Sequence, residues 1–124
     1  MPAETRYGFP RADWEAAKAH AKAILAVRAR ERRTITYGEL CREVEAITLK
    51  PRSWALMAFL DEVCTEEDAA HGIMLASLVV RADTGIPGDG YFRNAARLGR
   101  DVTDHEAYWR GEVERIYATY ADGA

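Results

Sequence analysis

Arginine is the residue type whose placement in this chain points most directly to chemistry. Six arginines lie at or near the ends of predicted regular segments: Arg28, Arg30, Arg32, Arg33, Arg52 and Arg81. A guanidinium group can bind two phosphate oxygens at once, so these residues predict contacts with a nucleic-acid backbone. The first four also close a helical segment, where cations interact favourably with the helix dipole, and that structural interpretation stays open.

Composition limits how a phosphate-binding surface could be built. The 17 Lys and Arg residues are outnumbered by 20 Asp and Glu residues, which gives a formal net charge of −3. A nucleic-acid-binding face would therefore be a local patch and not a property of the whole chain. With 48% hydrophobic residues, the 124-residue chain can bury a core and is predicted to form one domain.

Three other groups of residues could support chemistry, and each has a simpler structural explanation. Asp83-Thr84-Gly85 follows an apolar segment, as in aspartic proteases, but an Asp that opens a turn also explains it. The glycine-rich loop at residues 83–90 precedes a helix and could cradle a phosphate, yet Pro87 removes one amide donor and the P-loop lysine is missing. An enzyme site around Asp83, Asp89 and Arg93 has no positive signature.

Metal and redox chemistry have little support in the sequence. The histidines are scattered, and neither Cys41 nor Cys64 belongs to a metal-binding pair, so we expect no metal and no cofactor. Both cysteines fall in helical segments and are expected to be reduced and buried. The first six residues have no signal-peptide pattern, and no apolar run approaches the length of a membrane helix. We therefore expect a cytoplasmic protein.

The elements that must position these residues are mostly helices. Thr36 and Glu39 have the spacing of a capping box, which predicts a helix that starts at Tyr37. Thr103 and Glu106 repeat that spacing before the last helix. Helices are predicted over five ranges: residues 11–33, 37–47, 51–64, 91–98 and 103–120. Residues 65–72 are predicted to form another cap and a short helical turn that closes near Gly72. The last one carries aromatic residues that either pack against the first helix or form a surface for a protein partner: Tyr108, Trp109, Tyr117 and Tyr120.

Residues 73–81 form the one main apolar strand predicted from the sequence. The segment is apolar on both faces, so we expect it to be covered on both sides. Gly85, Gly88 and Gly90 in the following loop predict left-handed backbone. Three helices followed by a strand and a loop is the order of a winged helix, with the loop as a candidate wing.

Four features follow one another along the chain. They are the segment Thr36-Tyr37-Gly38-Glu39-Leu40, a following helix, an apolar run ending in Val79-Val80-Arg81, and Gly90-Tyr91 after a glycine-rich loop. This arrangement resembles the C-terminal domain of alkylguanine-DNA alkyltransferases and the related alkyltransferase-like proteins. The resemblance implies a helix-turn-helix that enters the DNA minor groove.

The resemblance also implies roles for individual residues. It places Ala76 where the family has its alkyl-accepting cysteine and Ser77 where it has a histidine, so it implies binding without alkyl transfer. Alkyltransferase-like proteins also lack that cysteine and bind damaged DNA without repairing it, but they keep flanking residues that are absent here. Tyr37 would face the DNA backbone, and Arg52 and Ser53 would approach the groove.

The sequence thus predicts an α+β fold, mostly helical, with a winged-helix-like core and an added C-terminal helix. Its parts would be a tail at residues 1–10, a long helix at 11–33, the winged-helix-like core at 34–92 and C-terminal helices at 93–124. We expect a non-catalytic DNA-binding module that uses six residues: Tyr37, Arg52, Ser53, Arg81, Arg32 and Arg33. The alternative is a protein-interaction or regulatory module of the same fold.

Overall fold

The computed structural model describes residues 5–121. It contains five helices: α1 (Arg11–Arg30), α2 (Tyr37–Glu43), α3 (Trp54–His71), α4 (Asp89–Arg97) and α5 (His105–Tyr120). The strands in this part of the chain are two residues long and form two pairs: β1 (Thr5–Arg6) with β2 (Phe9–Pro10), and β3 (Ile35–Thr36) with β4 (Val79–Val80). The predicted mostly helical α+β class is confirmed.

One hydrophobic cluster draws side chains from every helix. Trp14 of α1 is fully buried, and its ring meets Phe59 of α3 edge-on at a centroid distance of 5.3 Å. Ile116 of α5 is also fully buried in this cluster. The edge-on geometry favours the aromatic pair beyond the area that it buries. Helices α1, α3 and α5 therefore form the frame on which the shorter elements rest.

Residues 5–10, predicted as part of a tail, form an antiparallel hairpin instead, whereas residues 1–4 of that prediction lie outside the described part of the chain. Tyr7 and Gly8 have positive φ angles of 52° and 85°, which closes the turn tightly. Tyr7 and Phe9 both stack on Trp14. These aromatic contacts hold the hairpin against α1. In so short a segment, alternating polarity in the sequence does not reveal such a hairpin.

The predicted strand at residues 73–81 is correct only at Val79–Val80. Leu75–Leu78 forms a single 3-10 turn, in which the Ser77 amide and hydroxyl both donate to the Met74 carbonyl. Every residue of this turn is buried, so the prediction that the segment is covered is confirmed. A short apolar run has no periodicity that separates a strand from a buried turn, and the serine hydroxyl here favours the turn.

Several helix boundaries differ from prediction. Helix α1 ends at Arg30, and Arg32 takes a left-handed φ of 55°. Helix α2 stops at Glu43 because Val44 is extended. The helix predicted at 51–64 and the short helical turn predicted at 65–72 are one continuous α3, which Gly72 caps as expected.

The N-cap of the last helix lies one residue later than predicted. Asp104 caps α5 by accepting from the Ala107 amide, whereas Thr103 bonds to Asp101, so the predicted capping box at Thr103 is wrong. The Asp101 carboxylate binds both the amide and the hydroxyl of Thr103, which occupies that threonine before it can cap the helix. The predicted C-terminal helices run to residue 124, and residues 122–124 lie outside the described range.

The parallel pairing of β3 with β4 positions the candidate site. Ile35 lies beside Val79 and Thr36 beside Val80, so both strands end at the same edge. From that edge one strand runs directly into α2 and the other into the loop at residues 81–88. That loop leads into α4 and not into the second strand of a β-hairpin. The loop at residues 83–90 that was predicted as a candidate wing is therefore not part of a β-hairpin, so that prediction is wrong.

Candidate nucleic-acid interface

A cavity of about 810 Å³ opens where α2, α3 and α4 begin. Its wall includes Thr36, Tyr37 and Gly38 at the start of α2, Pro51 and Arg52 before α3, and residues 88–90 at the start of α4. Its volume lies in the range of ligand sites in proteins. The floor is mostly apolar and is formed by side chains of α3, the 3-10 turn and α4: Met57, Leu60, Cys64, Ala76 and Tyr91.

Tyr37 joins two walls of this cavity. Its hydroxyl accepts a hydrogen bond of 2.9 Å from the amide of Gly88, the residue that precedes α4. Burial raises the pKa of the Tyr37 phenol, so the group stays protonated at neutral pH. The Tyr37 hydroxyl can still donate its proton to a hydrogen bond, but the loop sets the position of that hydroxyl. Tyr37 thus holds the cavity in shape, a role that the expected contact with a DNA backbone did not include.

The cavity floor carries no reactive thiol. Ala76 lines the cavity, and the thiol of Cys64 lies beside it, with a hydrogen bond between the cysteine and the Ala76 backbone. Burial raises the pKa of Cys64 to about 12, which keeps the thiol protonated and weakly nucleophilic. Sequence reasoning missed that Cys64 reaches this floor, because the cysteine and Ala76 lie on different elements.

Ser77 is fully buried beneath the floor. Its hydroxyl donates to the Met74 carbonyl at 2.6 Å and also shares a hydrogen bond with the Tyr91 hydroxyl. A buried hydroxyl with both partners in place contributes to the stability of the turn and is not accessible to a ligand. Both cysteines are free thiols as predicted, although Cys41 is only half-buried.

Three arginines stand around the cavity without an ion-pair partner among the described residues: Arg42, Arg52 and Arg93. We call them the rim arginines. Arg52 was predicted as a phosphate contact, and the structure places it on the wall of the cavity. Arg42 and Arg93 were not among the predicted contacts. Arg93 was noted only as part of an unrecognised enzyme site, and no sequence signal marks Arg42.

The arginines near the end of α1 have different surroundings. Arg28 donates to the Thr34 carbonyl at 2.7 Å and to Glu43 at 3.3 Å. Arg33 pairs with Glu31 at 3.2 Å. We call Arg28, Arg32 and Arg33 the α1-end arginines. None of the three lines the cavity, and each already has a carboxylate partner.

Arg32 and Arg30 also bind to helix α5. Arg32 pairs with Glu114 at 2.9 Å and lies 4.8 Å from the centre of the Tyr117 ring. Arg30 lies over the ring of Tyr120. The guanidinium groups thus attach the end of α1 to α5 by an ion pair and cation–π contacts. This is a structural role that the helix-dipole interpretation only partly anticipated.

Two further predicted contact residues are already engaged. Arg81 lines the cavity but pairs through two nitrogens with Asp83, at 3.0 and 2.8 Å. This pairing holds the pKa of the Asp83 carboxyl below its usual range. Ser53 caps α3 by accepting from Leu56, and its hydroxyl donates to Lys50. Ser53 therefore shapes the start of the helix and has no free donor for a phosphate.

Carboxylates also reach the cavity, but two of the three are paired with arginine. Asp61 pairs with Arg97 at 3.1 Å, and burial raises the pKa of its carboxyl. Asp83 pairs with Arg81, and Asp89 lies in the first turn of α4, where the helix dipole favours an anion. The cavity is therefore mixed in charge, with its unpaired cations at Arg42, Arg52 and Arg93.

Residues 5–121 hold neither a candidate metal cluster nor a candidate membrane-spanning helix. No group of three or more His, Cys, Asp or Glu side chains is arranged to hold a metal ion there. Within the same range no helix combines the length and the apolar character needed to cross a membrane. No family model, curated protein or solved structure matches the chain.

Proposed function

We propose that this protein binds nucleic acid, most readily DNA, at the cavity and its arginine rim, without catalysing a reaction. The observation that carries the proposal is the convergence of Arg42, Arg52 and Arg93 on one cavity, none in an ion pair with a carboxylate among the described residues. The charges of Arg42 and Arg93 favour the ionised forms of Glu39 and Asp61, but neither guanidinium group is held in an ion pair. An unpaired guanidinium group can bind phosphate without first breaking an ion pair. The resemblance to alkyltransferase-like proteins agrees with a binding role and with Ala76 on the cavity floor.

Helix geometry supports the same face. Helices α3 and α4 begin at the cavity, and their first amides carry partial positive charge that attracts a phosphate. The apolar floor beneath offers a place for an uncharged group such as a nucleobase. A polyanion with flat apolar bases fits a cavity that has a cationic rim and an apolar floor.

The alternative of a partner surface on α5 has less support. Tyr117 is buried, and the other three aromatic residues predicted for that surface are partly buried against the core. None of the large hydrophobic side chains that are exposed in residues 5–121 belongs to α5. The acidic net charge remains compatible with a protein partner, and the experiment below separates the two functions.

Fluorescence anisotropy with labelled duplex and single-stranded DNA, at two salt concentrations, tests the proposal. We expect binding that weakens steeply with salt, as for phosphate contacts. Arg52→Glu should lower affinity about tenfold or more, because it reverses an unpaired rim charge. Arg33→Glu is the matched control, since it makes the same charge change at a paired position away from the cavity. Absence of binding at low salt would exclude the proposed function and favour the protein-partner alternative.

A further inference from the structure

Trp54 is the most exposed large hydrophobic side chain in the described chain, with 86% of its surface accessible. The buried face of α3 includes Leu56, Phe59, Leu60 and Val63, and Trp54 lies outside it. A tryptophan this exposed loses the benefit of burial, so it indicates a contact surface.

The two other tryptophans show what the fold normally does with an indole. Trp14 is fully buried and donates its ring N–H to Glu62 at 3.0 Å. Trp109 donates to the Ser77 carbonyl at 2.7 Å. The indole of Trp54 has no such hydrogen bond within residues 5–121, and Trp54 is the first residue of α3, exposed to solvent.

Trp54 stands next to the cavity described above. Arg52, two residues earlier, and Met57, one helical turn later, both line it. Residues three apart on a helix lie on the same side, and both Trp54 and Met57 are exposed, so Trp54 extends the apolar lining of the cavity towards solvent. Met57 shares the cavity lining with the rim arginines, and Arg52 is two residues from Trp54. An open aromatic face therefore stands beside a cavity that carries unpaired positive charge.

Resting on the proposed function, we propose that the bound nucleic acid is single-stranded and that Trp54 stacks on one of its bases while the rim arginines bind the adjacent phosphates. Aromatic stacking next to a cationic groove is how sequence-tolerant single-strand binding is achieved. In a continuous duplex each base is covered on both faces by its neighbours. Only an unpaired or terminal base offers a free face to an indole.

Intrinsic tryptophan emission and label anisotropy together test the inference. The probes are a labelled oligothymidylate of about 12 nucleotides, within the range of known single-strand site sizes, and a labelled duplex hairpin. We expect oligothymidylate to bind more tightly than the hairpin and to quench the emission of the wild-type protein. In Trp54→Phe the quenching should disappear while anisotropy still reports binding within about threefold of wild type, because a phenyl ring also stacks.

Trp54→Ala should weaken oligothymidylate binding about tenfold and leave hairpin binding nearly unchanged. Since the side chain is exposed, its thermal unfolding should match that of the wild type, which separates a lost contact from misfolding. Equal or tighter binding of the hairpin, or unchanged affinity in Trp54→Ala, would overturn this inference and leave the proposed function standing. Absence of binding to both probes would overturn both.

Discussion

Two groups of arginines in this protein have the same side chain and opposite surroundings. The α1-end arginines are each within reach of a carboxylate, at 3.3 Å for Arg28, 2.9 Å for Arg32 and 3.2 Å for Arg33. Among the described residues the rim arginines have no such partner. A cation held by a carboxylate must give up that interaction before it can bind a phosphate, so pairing, more than arginine content, decides which surface is available.

Lys18 represents the extreme of pairing. It is almost completely buried, with 3% of its surface exposed, and lies within 2.9 Å of Glu15, Glu62 and Glu66. Burial alone would lower the pKa of Lys18, but hydrogen bonds with Glu66, Glu62 and Glu15 outweigh it and raise the pKa. Paired cations should therefore govern stability, and unpaired cations should govern binding. The following predictions test that division.

The largest expected effect is the loss of Lys18. Lys18→Met should lower the free energy of unfolding by about 3 kcal/mol at pH 7, because it leaves clustered carboxylates without their buried cation. Burial raises the pKa values of Glu62 and Glu66, but hydrogen bonds outweigh this effect and hold both pKa values below normal. Lys18 donates one of these hydrogen bonds to each carboxylate. Carboxylates of lowered pKa stabilise the fold above their unfolded pKa, and that stabilisation is lost on acidification.

The variant should therefore approach the wild type in stability as the pH falls from 7 towards 3. Urea denaturation of both proteins at several pH values measures the difference. A difference that stays constant over this range would show that Lys18 acts through packing of its aliphatic chain and not through its charge. DNA affinity at neutral pH should be unchanged, since Lys18 does not line the cavity.

The next effect concerns the rim. Replacing Arg42, Arg52 and Arg93 together by Gln should weaken DNA binding by about a hundredfold at low salt, roughly fivefold for each contact. The slope of log affinity against log salt should fall by about three, because three counterion-releasing contacts are lost. The double variant Arg32→Gln, Arg33→Gln is the matched control and should keep the wild-type slope. Equal losses in the two variants would contradict the division between paired and unpaired cations.

Features set by neighbouring residues could be predicted from the sequence. The capping box of Thr36 and Glu39 is confirmed, and Gly72 ends α3 with a positive φ of 69°. Both depend on interactions that span three or four residues, and the sequence shows those directly. Of the three glycines predicted to be left-handed in the loop, only Gly85 is, because Gly88 and Gly90 belong to the start of α4.

The site depended on contacts between residues far apart in sequence. Arg32 and Glu114 are separated by 82 positions, and nothing in the pattern around Arg32 shows that α5 would neutralise it. Arg42, in the last turn of α2, lines the cavity, and the parallel pairing of β3 with β4 sets the position of that helix beside the loop. The sequence identified arginine as the relevant residue type. Which arginines stay unpaired depends on tertiary packing.

A smaller effect should separate Arg28 from Arg52 in stability. Arg28 is mostly buried and donates to the Thr34 carbonyl, so Arg28→Ala should lower the free energy of unfolding by about 1.5 kcal/mol. Arg52 is exposed and has no ion-pair partner among the described residues, so Arg52→Ala should change the free energy of unfolding by less than about 0.5 kcal/mol. Urea denaturation at pH 7 measures both. Equal destabilisation would show that the rim arginine also supports the fold.

The smallest effect, and the most direct test of pairing, concerns Arg81. This arginine lines the cavity, but Asp83 holds it through two hydrogen bonds. Asp83→Asn removes the carboxylate and converts Arg81 into a fourth unpaired cation on the rim. DNA affinity at low salt should then rise about threefold, and the salt slope should increase by up to about one.

Arg81→Gln serves as the reciprocal variant. In the wild-type background it should change affinity less than Asp83→Asn does, because the guanidinium group that it removes is already neutralised by Asp83. In the Asp83→Asn background it should cancel the gain. If Asp83→Asn raised affinity equally with Arg81 or Gln at that position, the gain would come from removing a negative charge near the phosphates. The DNA affinity would then depend on the total charge around the cavity and not on whether Arg81 itself is paired.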